Sequence, residues 1–351
     1  MRVHSKERIA YLAAVSILFS AAELFIPKPM PFFRIGLANI PILASLSLPL
    51  ADFLVLLLLK AISSSYISGN LFSPFIILSL SQTMASGMTM RLLNRISDKR
   101  ISCYGISAGG AAVSCIVQLL LASIYLGRAV LNYMPLMMGL SLFSSAVVAF
   151  ISSKINIRCT PGLKKEAIGR NSSSPLYIVM LALSSASVLA LQDVTSALIA
   201  FIFALIMQKS THRRILLMPY ASIIFFMLFT SLFAAEGRIL WQLGPFRAGT
   251  ISLKAALLKA LRLATLASIS QSYTNLLTLR RGILSMTIEY AAAMVACFNR
   301  EKGKLIERVN GVLSLDYMSA EEKAHNAPSQ FLIIFFTISF IAISCISFFI
   351  K

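Results

Sequence analysis

The feature that most constrains this chain is a succession of apolar stretches, many close to 20 residues long, divided by short polar segments. An α-helix needs roughly 20 apolar residues to cross a bilayer. Charged residues make up 13% of the 351 residues, whereas soluble domains contain about 25%. The sequence therefore predicts an all-α polytopic membrane protein with about 10–11 transmembrane helices.

Basic residues predict how these helices are oriented. The net charge is +19, which in a soluble protein would indicate a nucleic-acid partner. In a membrane protein the positive-inside rule accounts for it, because cytoplasmic loops collect lysine and arginine. With a cytoplasmic N-terminus, six predicted spans between residues 8 and 152 place the basic loops 91–100 and 154–170 inside. We expect a multi-pass protein of the cytoplasmic (inner) membrane, in contact with the lipid bilayer and without a nucleic-acid partner.

Composition divides the chain into two predicted membrane units. Residues 1–155 form a six-helix unit, and residues 156–174 form a cytoplasmic linker that contains charged residues, proline, glycine and serine. Such a composition is typical of a flexible connection. Residues 175–351 form a second membrane unit, with a charged helical region, cytoplasmic or at the membrane surface, at about residues 276–329.

One predicted outer loop of the second unit, residues 236–249, contains aromatic side chains. Trp241 and Phe246 suit a position at a membrane interface, where amphipathic aromatic rings are enriched. The next predicted span is a poor lipid-facing helix, so we expect its cationic face to be packed or near water. Its cations are Lys254, Lys259 and Arg262.

A polar, glycine-containing segment separates the first two predicted spans. Its sequence is FFRIGLANIP, residues 32–41, and the charge pattern places it on the outer face. Arg34, Gly36 and Asn39 are candidates for binding an anionic or polar ligand. The alternative is that they form an interface anchor and a turn.

Four polar residues lie inside predicted spans, where they are costly and therefore candidates for function. They are Glu23 in the first, Lys60 in the third, Gln82 in the fourth and Gln118 in the fifth. One interpretation is a ligand pocket or ion pair that faces the bundle interior. The alternative is snorkelling or hydrogen bonding between helices that holds the bundle together.

The first predicted helix carries small residues at four-residue spacing. Ala10 pairs with Ala14 in this pattern, and Ser16 pairs with Ser20. Such a face lets two helices approach closely. It would either dock against the second membrane unit or pack inside the six-helix bundle.

The sequence lacks the common catalytic motifs. It contains no DDxxD cluster for magnesium and diphosphate, no GxxxxGK[ST] phosphate loop, no GxSxG and no HExxH. The cysteines are scattered without metal-ligand spacing. We therefore predict a protein that is not an enzyme, without a metal site or cofactor, whose ATPase activity would reside in separate subunits.

Three runs resemble a known membrane family: RIGLANIPIL (residues 34–43), LFSPFIILSLSQTMAS (71–86) and YGISAGGAAVSCIVQLLLA (104–122). They are similar to the Gx transporter family, also called heptaprenyl diphosphate synthase component I. That family resembles the substrate-binding S components of energy-coupling-factor transporters. By this resemblance, residues 36–39 hold the family's GLAN signature, and Gln118 matches a glutamine of the fifth helix.

The sequence also departs from the family pattern as we expect it. Residues 114–117 read Ser-Cys-Ile-Val where a His-Asn-Leu-Gly run is expected, and Lys60 stands where an arginine is expected. The resemblance implies a small-molecule substrate, and if residues 114–117 contact it, its identity or affinity would differ from that of other members.

Residues 237–268 are similar to the transmembrane T component of the same transporters, with a glycine turn followed by a helix with a central Arg262. The T-component likeness makes Arg280 and Arg281 candidates for coupling to separate ATPase subunits. The expected function is uptake of a small molecule, with the segment at residues 32–41 acting as a lid over the outward pocket. The alternative, which the family's older name implies, is a membrane subunit for isoprenoid or polyprenyl diphosphate synthesis or handling.

Overall fold

The computed structural model of the chain describes residues 2–23, 36–67, 71, 73–96, 100–126, 128–154, 162–163, 176–211, 215, 217–232, 237–243, 246–274, 283–300, 311–313, 317–318 and 330–349. Almost all regular structure in these residues is helical, which confirms the all-α class. The described strands form two small two-stranded sheets.

The N-terminal unit is built from helices of unequal length. Its elements are α1 (Arg2–Glu23), a first 3-10 helix (Leu37–Asn39), α2 (Ile40–Ala44), α3 (Leu50–Ile67), α4 (Phe75–Ile96), α5 (Cys103–Leu126), a second 3-10 helix (Arg128–Tyr133) and α6 (Met134–Lys154).

The second unit contains further helices and a hairpin. The elements are α7 (Leu176–Ala190), α8 (Val194–Ser210), α9 (Leu217–Ser231), β2 (Ile239–Leu243), β3 (Phe246–Gly249), α10 (Thr250–Thr274), α11 (Ile283–Arg300) and α12 (Gln330–Phe349). Strands β2 and β3 pair antiparallel. The short strand β1 (Gly162–Leu163) pairs in parallel with β4 (Tyr317–Met318).

Two helices in the described part of the chain are long and apolar enough to cross a membrane, namely Cys103–Ile124 and Val130–Ser153. Shorter apolar helices occur at Leu176–Ala190, Val194–Ser210, Pro219–Ser231, Met286–Val295 and Ile333–Phe348. Length and composition therefore support a membrane location, and the number of crossings stays a prediction.

The second predicted span, at about residues 41–50, is not a spanning helix. The structure has α2, a helix of 5 residues, which is about 7.5 Å long against the roughly 30 Å of a bilayer core. Ser45 ends this helix by donating its hydroxyl to the Ile42 carbonyl over 2.9 Å. Pro49 then precedes α3 and disfavours helical backbone at the residue before it. These residues break the apolar run that the sequence pattern presented as continuous.

Helix α1 is the centre of the N-terminal core. Every residue from 9 to 19 is buried, as expected for a helix surrounded by other elements. It packs against α3, α2, the first 3-10 helix and α11. Because α11 comes from the second half of the chain, that half contributes to the N-terminal core.

A second core lies among α7, α8, α10 and α12. Helix α9 joins it through Tyr220, which packs with Ala264 and Ala267 of α10. The Tyr133 ring, in the second 3-10 helix, lies 5.9 Å from the ring of Phe226 on α9. The two parts of the chain thus share contacts at this ring pair as well as at α1 and α11.

Candidate functional site

The first 3-10 helix lies inside the N-terminal bundle. Leu37, Ile40 and Ile42 are each no more than 2% exposed. Gly36 begins the helix with a φ of 83°, a left-handed conformation that glycine adopts without steric cost. In the described half of the polar segment, residues 36–41, buried and half-buried positions are mixed, so it is a partly buried turn. The lid expected there stays a prediction.

Glu23 connects this turn to the end of α1. Its side chain is 4% exposed, and its carboxylate accepts a hydrogen bond of 3.2 Å from the Gly36 backbone N–H. A buried carboxylate requires hydrogen-bond donors to offset its loss of hydration. The Gly36 amide supplies one such donor and fixes the turn against α1.

Lys60 connects the same turn to α3. Its ammonium donates a hydrogen bond of 2.5 Å to the Asn39 side-chain oxygen, and the lysine is 7% exposed. Lys60 is ten residues after Leu50, so it lies roughly 15 Å along α3 from the start of the helix. The contact therefore places Asn39 deep in the bundle. Non-helical backbone at membrane depth is tolerated where protein surrounds it.

The four residues form what we call the polar turn cluster: Glu23, Gly36, Asn39 and Lys60. It contains one buried carboxylate, one buried ammonium and one carboxamide, held by backbone that departs from helical geometry. Oriented groups of this kind can bind a polar or anionic group of a small molecule. The sequence analysis named all four residues, and the structure brings them together.

Gln82 and Gln118 form a second polar pair. The Gln82 amide donates to the Gln118 side-chain oxygen over 3.2 Å, which joins α4 to α5. Helices α3 and α4 touch where a Cβ on Gly87 would meet Leu57 at 2.5 Å. Counting from that contact along antiparallel helices, Lys60 and Gln82 differ in depth by roughly 3 Å. The glutamine pair therefore lies at about the level of Lys60.

The proposed docking residues lie in the central helix. Ala10, Ala14 and Ser16 are completely buried, while Ser20 is half-buried. The Ser16 hydroxyl donates to the Leu12 carbonyl within α1 over 3.1 Å. Helix α1 has neighbours from both halves of the chain, so both interpretations of its small residues have a physical partner. Arg34, Arg280 and Arg281 lie outside the described residues.

Sequence reasoning overlooked two buried serines. The hydroxyls of Ser63 and Ser86 are buried and have no hydrogen-bond partner among the described residues. Ser63 follows Lys60 by three positions and Ser86 follows Gln82 by four, so each shares a helix face with a candidate. Buried hydroxyls without a partner are rare in native proteins. The i+3 and i+4 spacing was the signal that could have identified them as further candidate ligand contacts.

Comparison with known proteins finds a match for the N-terminal unit. Residues 12–155 match the family model described as heptaprenyl diphosphate synthase component I. The resemblance of the N-terminal half is thereby confirmed. The matched range includes the polar turn cluster and the glutamine pair, and it ends before the second unit. No curated protein and no solved structure matches the chain.

Proposed function

We propose that the chain is a multi-pass membrane transport protein of the energy-coupling-factor type. The N-terminal unit binds a small molecule, and the second unit is the transmembrane coupling component. The observation that carries the proposal is the polar turn cluster. Buried charges are costly inside a membrane unit and are typical of functional sites, and broken helices form the substrate sites of many transporters. The protein would act without a cofactor of its own.

For the N-terminal unit, the proposal predicts a ligand that carries a polar or anionic group. Lys60 offers an ammonium, and Asn39 offers a carboxamide that already contacts it. Mass spectrometry of the purified full chain should detect a co-purified small molecule. Asn39→Ala should reduce its occupancy while leaving membrane insertion intact. Unchanged occupancy in this variant would indicate that the segment containing Asn39 is a structural turn without a role in ligand binding.

For the second unit, the proposal predicts that separate ATPase subunits are its partners. Arg280 and Arg281 would contact them, by the likeness of the second unit to T components. Co-purification from the native membrane should recover a nucleotide-binding ATPase, and Arg281→Glu should abolish that recovery. Arg100→Glu is the matched control, because it makes the same charge change at an exposed arginine. Equal recovery with both variants, or no ATPase at all, would remove the coupling assignment.

A second candidate function is isoprenoid or polyprenyl diphosphate handling. The description of the matched family favours it, and a buried lysine can bind a diphosphate. The sequence has no DDxxD cluster to hold magnesium, so direct catalysis ranks lower. Incubating the purified protein with magnesium and prenyl diphosphates distinguishes transport from prenyl diphosphate synthesis. Formation of a longer prenyl product would reverse the ranking.

A further inference from the structure

Strand β2 of the hairpin exposes three consecutive apolar side chains. Ile239 is 50% exposed, Leu240 is 63% exposed and Trp241 is 50% exposed. A strand that covered the protein core would bury at least some of these side chains, so this part of β2 does not pack on the core.

The hairpin is fixed to the first turn of α10. The Thr250 backbone N–H donates to the Arg238 carbonyl over 3.0 Å. Gly237 has a φ of 85°, and a Cβ there would lie 2.7 Å from Ile251. Ile251 is 59% exposed and extends the apolar area of the hairpin. We call Ile239, Leu240, Trp241 and Ile251 the hairpin surface.

A β-bulge changes the direction of the apolar residues. Ile239 pairs with Gly249 and Trp241 pairs with Ala248, so Leu240 is the extra residue on β2. Bulges strengthen the local twist and re-aim a side chain. The bulge here presents Leu240 beside Trp241 as the most exposed residue of the hairpin surface.

Cations flank the hairpin surface. Arg238 and Lys254 are both exposed, and Lys254 lies on the same side of α10 as Ile251, three residues later. Between residues 237 and 274 the sequence contains no aspartate or glutamate. The charge of this region is therefore complementary to anionic phosphate groups.

We propose that the hairpin surface inserts at the boundary between the headgroups and acyl chains of the bilayer, where Arg238 and Lys254 bind lipid phosphates. The inference rests on the membrane location in the proposed function. A two-stranded sheet has open edges, and open sheet edges do not occur in the hydrocarbon region. Water would in turn solvate the apolar side chains poorly. The interface satisfies both requirements, and it is where tryptophan is enriched.

Trp241 makes the inference testable, because it is the chain's single tryptophan. The full-length protein is placed in nanodiscs of phosphatidylcholine and phosphatidylglycerol that carry bromine either near the ester end or near the methyl end of the acyl chains. Shallow bromine should quench the Trp241 emission more strongly than deep bromine. Absence of quenching, as expected for a hairpin in water or covered by another protein, would overturn the inference. Stronger quenching by deep bromine would also overturn it.

Two variants of strand β2 test whether the quenching depends on the apolar side chains of the hairpin surface. Leu240→Asp should shift the Trp241 emission to longer wavelength and reduce quenching by shallow bromine. Gln242→Asp adds the same charge where a polar side chain is already exposed, and it should retain most of the quenching. Equal losses in the two variants would contradict a specific role for the hairpin surface.

Membrane insertion is recorded separately, as retention of the protein in vesicles after washing with alkaline carbonate. If the protein is washed away, the membrane location itself fails. If the protein is retained and Trp241 is not quenched, only the hairpin inference fails. Arg238→Gln should weaken the dependence of quenching on phosphatidylglycerol content, because it removes a cation near the lipid phosphates. An unchanged dependence would remove the phosphate contact.

Discussion

The Lys60 ammonium donates a hydrogen bond of 2.5 Å to the side-chain oxygen of Asn39. This contact joins the interior of a long helix to a turn that begins at a left-handed glycine. Because Glu23 accepts a hydrogen bond from the backbone of the same turn, opposite charges border it from two helices. Variants of these residues distinguish a ligand-binding role of the cluster from a role in the fold.

Lys60→Met should weaken ligand binding and leave the protein folded. A hydrogen bond to a charged group contributes about 1.5–3 kcal/mol, so a bound anionic group would be held roughly 10- to 100-fold more weakly. The variant also leaves the Asn39 side-chain oxygen without this donor, so we expect a loss of about 1–3 kcal/mol in the free energy of unfolding beside the loss of ligand. Native mass spectrometry of the purified protein measures occupancy by the co-purified molecule. Lys209→Met, at an exposed lysine, is the control and should retain full occupancy.

Gly36→Ala should destabilise the polar turn. A left-handed backbone costs a residue with a Cβ about 1–2 kcal/mol, and the added Cβ would lie 3.3 Å from the Asn39 amide nitrogen. Thermal unfolding in detergent should show a lower midpoint. Gly139→Ala is the matched control, since a Cβ there meets nothing within 4 Å, and alanine in a helix interior is favoured by about 0.5–1 kcal/mol. A similar response of both variants would contradict the strained turn.

Gln82→Leu and Gln118→Leu should show coupled effects on stability. A hydrogen bond between membrane helices contributes about 0.6 kcal/mol on average and up to about 1.7 kcal/mol. A double-mutant cycle on the unfolding free energy isolates this coupling. If the pair also contacts ligand, each single variant lowers ligand occupancy as well. If the stability changes are strictly additive and ligand occupancy is unaltered, the pair neither stabilises the contact between α4 and α5 nor binds ligand.

Tyr290→Ala should destabilise the N-terminal core although the residue lies in the second half of the chain. The Tyr290 ring packs edge-on against the Tyr11 ring at 6.1 Å, and Tyr290 is 2% exposed. Truncating a buried aromatic side chain costs about 3–5 kcal/mol. Unfolding measurements on the full chain test this. Tyr104→Ala, at a tyrosine that is 46% exposed, should have little effect, and equal losses would argue against a shared core.

The helices of this protein were largely predictable from local pattern. The expected spans near residues 53–68, 74–92 and 104–126 correspond to α3, α4 and α5, because apolar length and breaking residues determine helical segments locally. The second span was wrong, since its apolar composition concealed the effects of Ser45 and Pro49. The strand pair of the hairpin was also not predicted. Residues 236–249 were interpreted as an outer loop from their aromatic side chains, without regard to strand pairing.

Local sequence is enough to predict the helical class, the clustering of basic residues in short polar segments and the polar residues that a bilayer would penalise. Each depends on a residue's own chemistry or on neighbours within one helical turn. The contacts of Lys60 with Asn39 and of Tyr290 with Tyr11 are visible only in the folded chain, because these residues are 21 and 279 positions apart in the sequence. Those contacts depend on which helix faces pack together. Close packing of the whole core determines this, and a local sequence pattern does not contain that information.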